Sequence, residues 1–286
     1  MIRIVSDSTL DLSEELLRRY DIDVIPLHVV LGEKSYQDGR EISPDEIYTW
    51  AESHKDAPKT SACTPEQACK AFEKHLKEGH EIIAFSISSH MSSTCQAMHI
   101  AASQLHAEDK ISIIDSANLS TGNALLSIAA AEMAKAGKSR AEIVKEIEYL
   151  KPRVHASFVV DTLSYLHRGG RCSGASALLG STLKIHPQIQ VAGGKMSPGQ
   201  KYRGKMGKVI REYVENQKSL LLSARKEHVF ITHSGCEESI LASVKEQLSA
   251  LQHFDEIHVT RAGGVVSCHC GPGTLGVLYI AENAVE

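Results

Sequence analysis

Residues 82–102 read IIAFSISSHMSSTCQAMHIAA, and the rest of the chain is organised around this stretch. Its apolar opening, Ile82 to Phe85, is short and bulky enough to be a buried strand, whereas Gln96 to Ala102 favours a helix. The first amides of a helix lack backbone partners and lie at the positive end of its dipole, so the turn before it can bind an anionic oxygen. That turn carries the hydroxyls of Ser88, Ser89, Ser92, Ser93 and Thr94. In the alternative interpretation, one hydroxyl is an ordinary helix N-cap and the others are solvated.

Two other segments carry groups of similar chemistry. Thr60-Ser61 precedes Thr64-Pro65, which predicts a helix start. His269 lies in the glycine-rich segment SCHCGPG, residues 267–273. Hydroxyls and an imidazole are neutral hydrogen-bond donors, so the three segments together favour a binding role for the serine turn.

Composition and charge limit the possible functions. With 286 residues and 42% hydrophobic content, the chain can fill the cores of two modest domains. The net charge of −4 and the absence of a Lys/Arg run argue against nucleic acid as a partner. The richest apolar stretch, Ala124 to Gly137, is shorter than the roughly 18–20 residues that a membrane span needs. Seven scattered cysteines without a CxxC pair predict reduced thiols, and we expect a soluble cytoplasmic protein.

The order of the predicted elements indicates the fold class. Strands at residues 2–5, 24–31, 82–86 and 110–114 alternate with helices, which is typical of a parallel sheet covered on both faces. Ligands of such sheets bind at the carboxyl ends of the strands. Three polar turns fall at those ends: Ser6-Asp7-Ser8, Ser86 to Thr94, and Asp115-Ser116.

The pattern changes after Pro152, where shorter strands and a glycine-rich turn predict a second α/β domain with a mixed sheet. We therefore divide the chain into residues 1–154 and 155–286. A helix is predicted over residues 173–185, and its apolar side chains either fill a core or line a tunnel for an apolar ligand. These side chains are Leu178, Leu179, Leu183 and Ile185.

Cys268-His269-Cys270 contains three good zinc ligands. In an extended segment the two cysteines point away from the histidine, so we expect no metal site there. A Ser or Cys nucleophile with His269 as base remains open, and it would make the protein a small hydrolase or acyltransferase. The sequence has no glycine-flanked nucleophile elbow, no GxxxxGK[ST] phosphate loop and no GxGxxG dinucleotide turn.

The remaining interpretation is a carboxylate site without any Arg or Lys in the pocket. Neutral donors can hold a carboxylate by charge-assisted hydrogen bonds. The donors would be Thr60, Ser61, Ser92, Ser93 and His269. Alternatively, His269 bridges backbone groups in a buried turn and has a purely structural role.

Several landmarks occur in the order found in a known family. They are IVSDSTLDL (4–12), Thr60-Ser61, SISSHMSST (86–94), Asp115-Ser116, LHRGGRCSGASALLGSTLKIHP (166–187), Lys201-Tyr202-Arg203 and SCHCGPGTLGV (267–277). Over nearly its full length the chain resembles the DegV family, bacterial fatty-acid-binding proteins that present a bound fatty acid to a fatty acid kinase.

The resemblance implies two α/β domains, an N-terminal one with a Rossmann-like parallel sheet and a C-terminal one with a mixed sheet, with the ligand cleft between them. It also implies that the C-terminal domain buries a long-chain acyl group and that the cleft holds the carboxylate. Such a carrier takes its ligand from the membrane surface, lets the kinase form the acyl phosphate, and needs no metal or cofactor of its own.

The family pattern assigns roles to individual positions. Thr60, Ser92 and His269 match its carboxylate-binding residues, and Ser61 and Ser93 are their neighbours. Arg171 and Arg203 match basic positions suited to the kinase or its nucleotide phosphates, and the alternative for both is ordinary surface charge.

The chain departs from the family pattern in three places. Ser93 stands where glycine is usual, Ala62-Cys63 where Gln-Pro is common, and His186 where lysine is common. These departures affect the backbone freedom of the serine turn, the partner surface and the ligand class.

Overall fold

The computed structural model of the chain describes residues 1–54, 56–172, 174 and 185–284. The predicted leucine-bearing helix, with Leu178, Leu179 and Leu183, lies outside the described residues. Ile185 is described and begins a strand rather than ending a helix.

The strands are β1 (Ile2–Asp7), β2 (Ile22–Ile25), β3 (His28–Leu31), β4 (Lys34–Gln37), β5 (Lys59–Ser61), β6 (Glu81–Ser86), β7 (Ile111–Asp115), β8 (Val154–Val159), β9 (Ile185–Ala192), β10 (Lys195–Arg203), β11 (Ala224–His233), β12 (Glu256–Arg261) and β13 (Leu275–Ala281). The helices are α1 (Glu14–Tyr20), α2 (Pro44–Ser53), α3 (Pro65–Lys77), α4 (Thr94–Gln104), α5 (Thr121–Lys135), α6 (Arg140–Leu150), α7 (Ser164–Gly169), α8 (Met206–Asn216), α9 (Lys218–Leu222), α10 (Glu238–Ala250) and α11 (Gly264–Cys270).

The N-terminal sheet is parallel throughout, in the order β2-β1-β6-β7. Successive residues of β6 pack into different cores: Ile83 and Phe85 lie in one hydrophobic cluster, and Ile82 and Ala84 in another. Since side chains alternate across a strand, the continuous apolar run of β6 is required by burial on both faces. The predicted fold class is confirmed for this half.

A small antiparallel sheet, β4-β3-β5, lies beside the parallel one. The prediction of one strand over residues 24–31 is wrong, because Pro26 interrupts it and separates β2 from β3. Proline has no amide hydrogen to donate to a strand ladder, so the chain changes sheets at this point. Val29 pairs with Thr60, which fixes β5 in the third position of the small sheet.

The C-terminal sheet is mixed, in the order β10-β9-β8-β13-β11-β12. Only the pair β11–β12 is parallel, and the other described pairs are antiparallel. The predicted mixed sheet is confirmed. Among the described residues, no helix combines the length and apolarity needed to cross a membrane.

Helix α5 joins the two sheets. Leu126 and Ile128 of α5 lie in one hydrophobic cluster with Phe85 of the parallel sheet and with Phe158 and Leu278 of the mixed sheet. The two halves therefore share a core, and the division at residue 154 stays a prediction.

Candidate functional site

A cavity of about 240 Å³ lies where the serine turn, β5 and α11 meet. We call it the hydroxyl cavity. Six of the residues singled out in the sequence line it: Thr60, Ser61, Ser92, Ser93, Arg171 and His269. The remaining one, Arg203, lies exposed at the end of β10 and is not among the lining residues.

Helix α11 places His269 in this cavity. The segment Cys268-His269-Cys270 is helical, so the expectation of an extended chain is wrong. The two cysteines still diverge: Cys268 and Cys270 pack into different hydrophobic clusters, and only Cys270 lines the hydroxyl cavity together with His269. Burial raises the pKa of Cys268 to about 12, so this thiol stays protonated at neutral pH.

Two buried carboxylates hold the start of α11. Asp11 accepts a hydrogen bond from the Gly263 amide at 2.8 Å, and Asp38 accepts one from the Gly264 amide at 2.7 Å. A Cβ at Gly264 would lie 2.9 Å from Asp38 Oδ1, so glycine is needed for this close approach. Since the first amides of a helix lack backbone partners, the two acids satisfy them and fix the position of α11.

The imidazole of His269 is neutral at ordinary pH. Burial, with a smaller effect of the nearby Arg171, lowers its pKa to about 4. Its Nε2 lies 2.8 Å from Thr60 Oγ1, whereas its buried Nδ1 has no hydrogen-bond partner in the part of the chain that the structure describes. A Cβ at Gly169 would lie 2.2 Å from Nδ1, so the backbone of α7 packs directly against the ring.

The hydroxyls of the serine turn differ in their hydrogen-bond partners. Ser92 Oγ lies 2.9 Å from Thr94 Oγ1 and accepts a hydrogen bond from the Thr94 amide, so it caps α4 locally. Ser88 donates to the carbonyl of Gly194 at 2.7 Å and ties the turn to the mixed sheet. Ser93 makes no side-chain cap bond and lines the cavity. The N-cap residue is Ser93, which makes no such bond, so the N-cap alternative does not describe this turn.

Among the described residues that line the hydroxyl cavity, Arg171 is the one that carries a charge. Its guanidinium donates to the carbonyl of Gly169 at 2.7 Å and to that of Met91 at 3.4 Å. The expectation of a pocket without Arg or Lys is therefore wrong. The physical reason is that Arg171 follows α7 and reaches back across the cavity mouth to the serine turn.

A smaller cavity of about 30 Å³ adjoins the hydroxyl cavity, and we call it the apolar cavity. Both are lined by Leu119, Val266 and Cys270. The apolar cavity continues inward along Phe158 of β8 and Leu278 of β13. The two cavities are separate but share these three wall residues, so the hydroxyl cavity borders on an apolar space in the shared core.

Sequence reasoning missed Asp11, Asp38 and the apolar lining. Asp7, Asp11 and Asp38 are buried beneath the site, and burial raises the pKa of each. Asp11 and Gly263 are 252 positions apart in the sequence, and nothing in the local sequence around Asp11 indicates that it will contact the start of a helix so far along the chain. Only the tertiary fold reveals this contact.

Comparison with known proteins gives a consistent result. A model of the DegV family, described as uncharacterised proteins, matches residues 1–282. A DegV domain-containing protein of Deinococcus radiodurans is 33% identical over 282 residues, covering 96% of this chain and 97% of that protein.

Two solved structures have the same fold. A DegV family protein from Thermus thermophilus, described by its fatty acid binding, has a TM-score of 0.90 and 29% identity, covering 98% of this chain and 99% of that one. DegV of Bacillus subtilis, described as a fatty acid binding protein, has a TM-score of 0.83 and 28% identity, with coverage of 98% and 99%.

Proposed function

Because the chain belongs to the DegV family, we propose that it binds a long-chain fatty acid. The carboxylate lies in the hydroxyl cavity and the acyl chain extends into the apolar cavity. The observation that carries this proposal is the wall that the two cavities share, because it puts the hydroxyl-lined cavity directly beside a space whose surface is almost wholly apolar.

The carboxylate is bound by hydroxyl donors and one cation. Thr60, Ser61, Ser92 and Ser93 supply the hydroxyls, and Arg171 supplies the positive charge. Neutral His269 offers one ring N–H, either to the ligand directly or through Thr60. Hydrogen bonds to a charged group contribute about 1.5–3 kcal/mol each, so no single hydroxyl accounts for the affinity.

The acyl chain supplies most of the binding free energy. Each methylene removed from water contributes about 0.8 kcal/mol, so a long chain outweighs any one contact at the head group. Leu119, Val266 and Cys270 form the wall between the two cavities, and we assign to this wall the point at which the chain enters the core. The cavity as described accepts only part of a long chain, and binding therefore requires the apolar walls to separate.

The bound acid is presented to a fatty acid kinase, which phosphorylates its carboxylate. Exposed Arg171 at the cavity mouth and exposed Arg203 on β10 are the residues we assign to the kinase or its nucleotide phosphates. The protein is a cytoplasmic carrier that contacts the membrane surface transiently, and its seven free thiols fit a reducing compartment. It uses no metal or cofactor for this role and binds no nucleic acid.

The hydrolase alternative is weaker on physical grounds. Thr60 and His269 have the spacing of a nucleophile and its base, but a pKa of about 4 makes His269 a poor base at neutral pH. Among the described residues, no group bonds Nδ1 to orient the ring, as a catalytic triad requires.

The proposal is tested by comparing palmitic acid with its methyl ester on delipidated protein by calorimetry. The acid should bind at least about tenfold more tightly, because the ester carries no charge for Arg171 and the hydroxyls. Thr60→Val should reduce that preference, whereas Thr49→Val, on the exposed side of α2, should leave it unchanged. Equal affinities of acid and ester in the unaltered protein would contradict the assigned head-group site.

Presentation is tested separately with purified kinase and ATP. Arg203→Ala should slow acyl phosphate formation while leaving the affinity for palmitic acid unchanged, because Arg203 lies outside both cavities. An unchanged rate of acyl phosphate formation would remove Arg203 from the partner surface.

A further inference from the structure

Two histidines and a glutamate share one face of the mixed sheet, away from both cavities. In the parallel pair β11–β12, His228 is opposite Glu256 and Phe230 is opposite His258. Residues two apart on a strand face the same side, so Glu256 and His258 lie together with His228 beside them. The three side chains converge, with one donor atom from each within 4.8 Å of the others.

The distances between donor atoms suit a metal ion. His228 Nδ1 lies 3.2 Å from His258 Nε2, and His258 Nε2 lies 3.8 Å from a carboxylate oxygen of Glu256. Ligands of tetrahedral zinc at about 2.0–2.1 Å from the ion lie roughly 3.3–3.4 Å from one another. The histidine pair already has nearly this separation. The glutamate has to approach the histidine pair, since its oxygen lies 3.8 Å from His258 Nε2.

A second carboxylate orients His228. Glu132 of α5 has an oxygen 3.3 Å from His228 Nε2, so the ring donates its Nε2–H to Glu132 and its Nδ1 lone pair faces His258. Metal-binding histidines commonly donate their other N–H to a carboxylate, which fixes the tautomer and makes the ligand more basic. Glu132 takes this position without being a ligand itself.

We propose that His228 Nδ1, His258 Nε2 and the Glu256 carboxylate form a zinc site, with water as the fourth ligand. Two histidines, one carboxylate and a water are an established zinc donor set. Without metal, His258 Nε2–H donates to His228 Nδ1; on binding, that proton moves to His258 Nδ1 and both facing nitrogens coordinate the ion.

The surroundings keep the ligands ready for metal. The two imidazole side chains are only 10% and 9% exposed. Arg19 is the competing cation, because its guanidinium pairs with Glu256 at 2.6 Å. Its side chain is half exposed and can rotate into solvent.

The site would link the two halves of the molecule. Glu132 belongs to the helix that follows Ser120 at the apolar cavity, and His228 belongs to the strand that reaches Thr232 at the same cavity. The rise per residue puts the metal roughly 18 Å from the apolar cavity along the helix and roughly 13 Å along the strand. We therefore assign it a structural role in fixing α5 against the mixed sheet.

The test is calorimetric titration of chelator-treated full-length protein with zinc chloride. We expect one zinc ion per chain, and at least about tenfold weaker binding in His228→Gln and in His258→Gln. Zinc should also raise the melting temperature of the unaltered protein, since it binds only the folded state. The Arg19→Ala variant should bind zinc more tightly than the unaltered protein, because Glu256 loses its competing partner. Weaker zinc binding by this variant would contradict Glu256 as a ligand.

A second histidine group provides the matched control. His75, Glu78 and His80 also have donor atoms within 4.8 Å of one another, but their ring centres are 6.2 Å apart, compared with 5.3 Å for His228 and His258. His75→Gln should leave zinc affinity unchanged. If His75→Gln abolishes binding while the two variants of the proposed site retain it, the proposal is overturned.

Cobalt(II) identifies the ligands independently. Cobalt in the proposed site should give visible bands of a four-coordinate ion without thiolate charge-transfer absorption, whereas binding by cysteine would show that absorption and contradict the assignment. His258 stacks on Phe230 with ring centres 4.6 Å apart, so the unfolding of metal-free His258→Gln is measured first. If that variant does not fold, His228→Gln decides the question.

Discussion

His269 is positioned by neighbours that leave little freedom. Thr60 holds Nε2, and the backbone at Gly169 lies against Nδ1, so the ring has one orientation in the cavity. Because the ring is neutral, we assign the charge complement to an anionic ligand to Arg171. The sequence indicated both residues, but not this division of roles, which depends on how far His269 is buried.

Gly169→Ala should disturb this arrangement. The new Cβ would overlap His269 Nδ1, and we expect about 1–3 kcal/mol of destabilisation together with weaker fatty acid binding. Gly207→Ala is the control, since its Cβ would meet nothing closer than 3.5 Å. Thermal unfolding and palmitic acid titration measure both effects. Unchanged binding in Gly169→Ala would show that the ring position does not matter.

Asp7 makes stability depend on pH. Burial raises its pKa from 3.8 to about 6, so protonation favours the folded state. The contribution of Asp7 to the free energy of unfolding is fully present below pH 3.8 and is lost as the pH rises through about 6. This loss amounts to about 3 kcal/mol. Urea unfolding gives the free energy of unfolding of the unaltered protein and of Asp7→Asn. Between about pH 4 and about pH 7, that of the unaltered protein should fall relative to that of Asp7→Asn. A constant difference would contradict the raised pKa.

At the scale of elements, α11 depends on residues from the start of the chain. Asp11 and Asp38 bind its first amides, and α11 in turn carries His269. Local sequence did not reveal this helix, because its cysteines, β-branched residues and flanking glycines are poor helix formers. Tertiary contacts overrode the local preference. Pro26 had the opposite effect and divided an apolar run that resembled one strand.

Asp38→Ala should loosen α11. It removes the acceptor for the Gly264 amide and for the Ser8 hydroxyl, which costs about 1–3 kcal/mol for each group left unsatisfied, partly offset by the loss of a buried charge. Asp38→Asn keeps one carbonyl oxygen and should lose less. Chemical denaturation of both variants gives the order of their free energies of unfolding. Asp109→Ala, at an exposed position, is the control. Equal stability of Asp38→Ala and the unaltered protein would show that α11 needs no such anchor.

At the scale of the molecule, α5 makes the two sheets one folding unit. Leu126→Ala, at a fully buried position of the shared core, should reduce the free energy of unfolding by about 2–5 kcal/mol. The variant should unfold in a single transition with a lower midpoint than the unaltered protein. Leu222→Ala, at a position 47% exposed, should cost far less. Trp50 fluorescence reports on the N-terminal half and circular dichroism on the whole chain, so two separated transitions would contradict a shared core.

The fold class followed from local patterns, whereas the site depended on the whole fold. Alternating strands and helices predicted the parallel sheet, because each element must bury one or both of its faces. The hydroxyl cavity combines β5, the serine turn, α11 and the segment after α7, and no single-sequence pattern gives the distances between them. Chemistry and resemblance therefore selected the candidate residues, six of which line this cavity. Their apolar neighbours Leu119 and Val266 were not.

The central claim is that the protein carries a fatty acid, and mass spectrometry tests it most directly. The purified protein is measured intact under native conditions, and an organic extract of the same sample is analysed for lipid. We predict close to one fatty acid per chain, with a mass difference that disappears on denaturation. A protein that yields no fatty acid, and whose melting temperature does not rise when fatty acids are added, would contradict the claim.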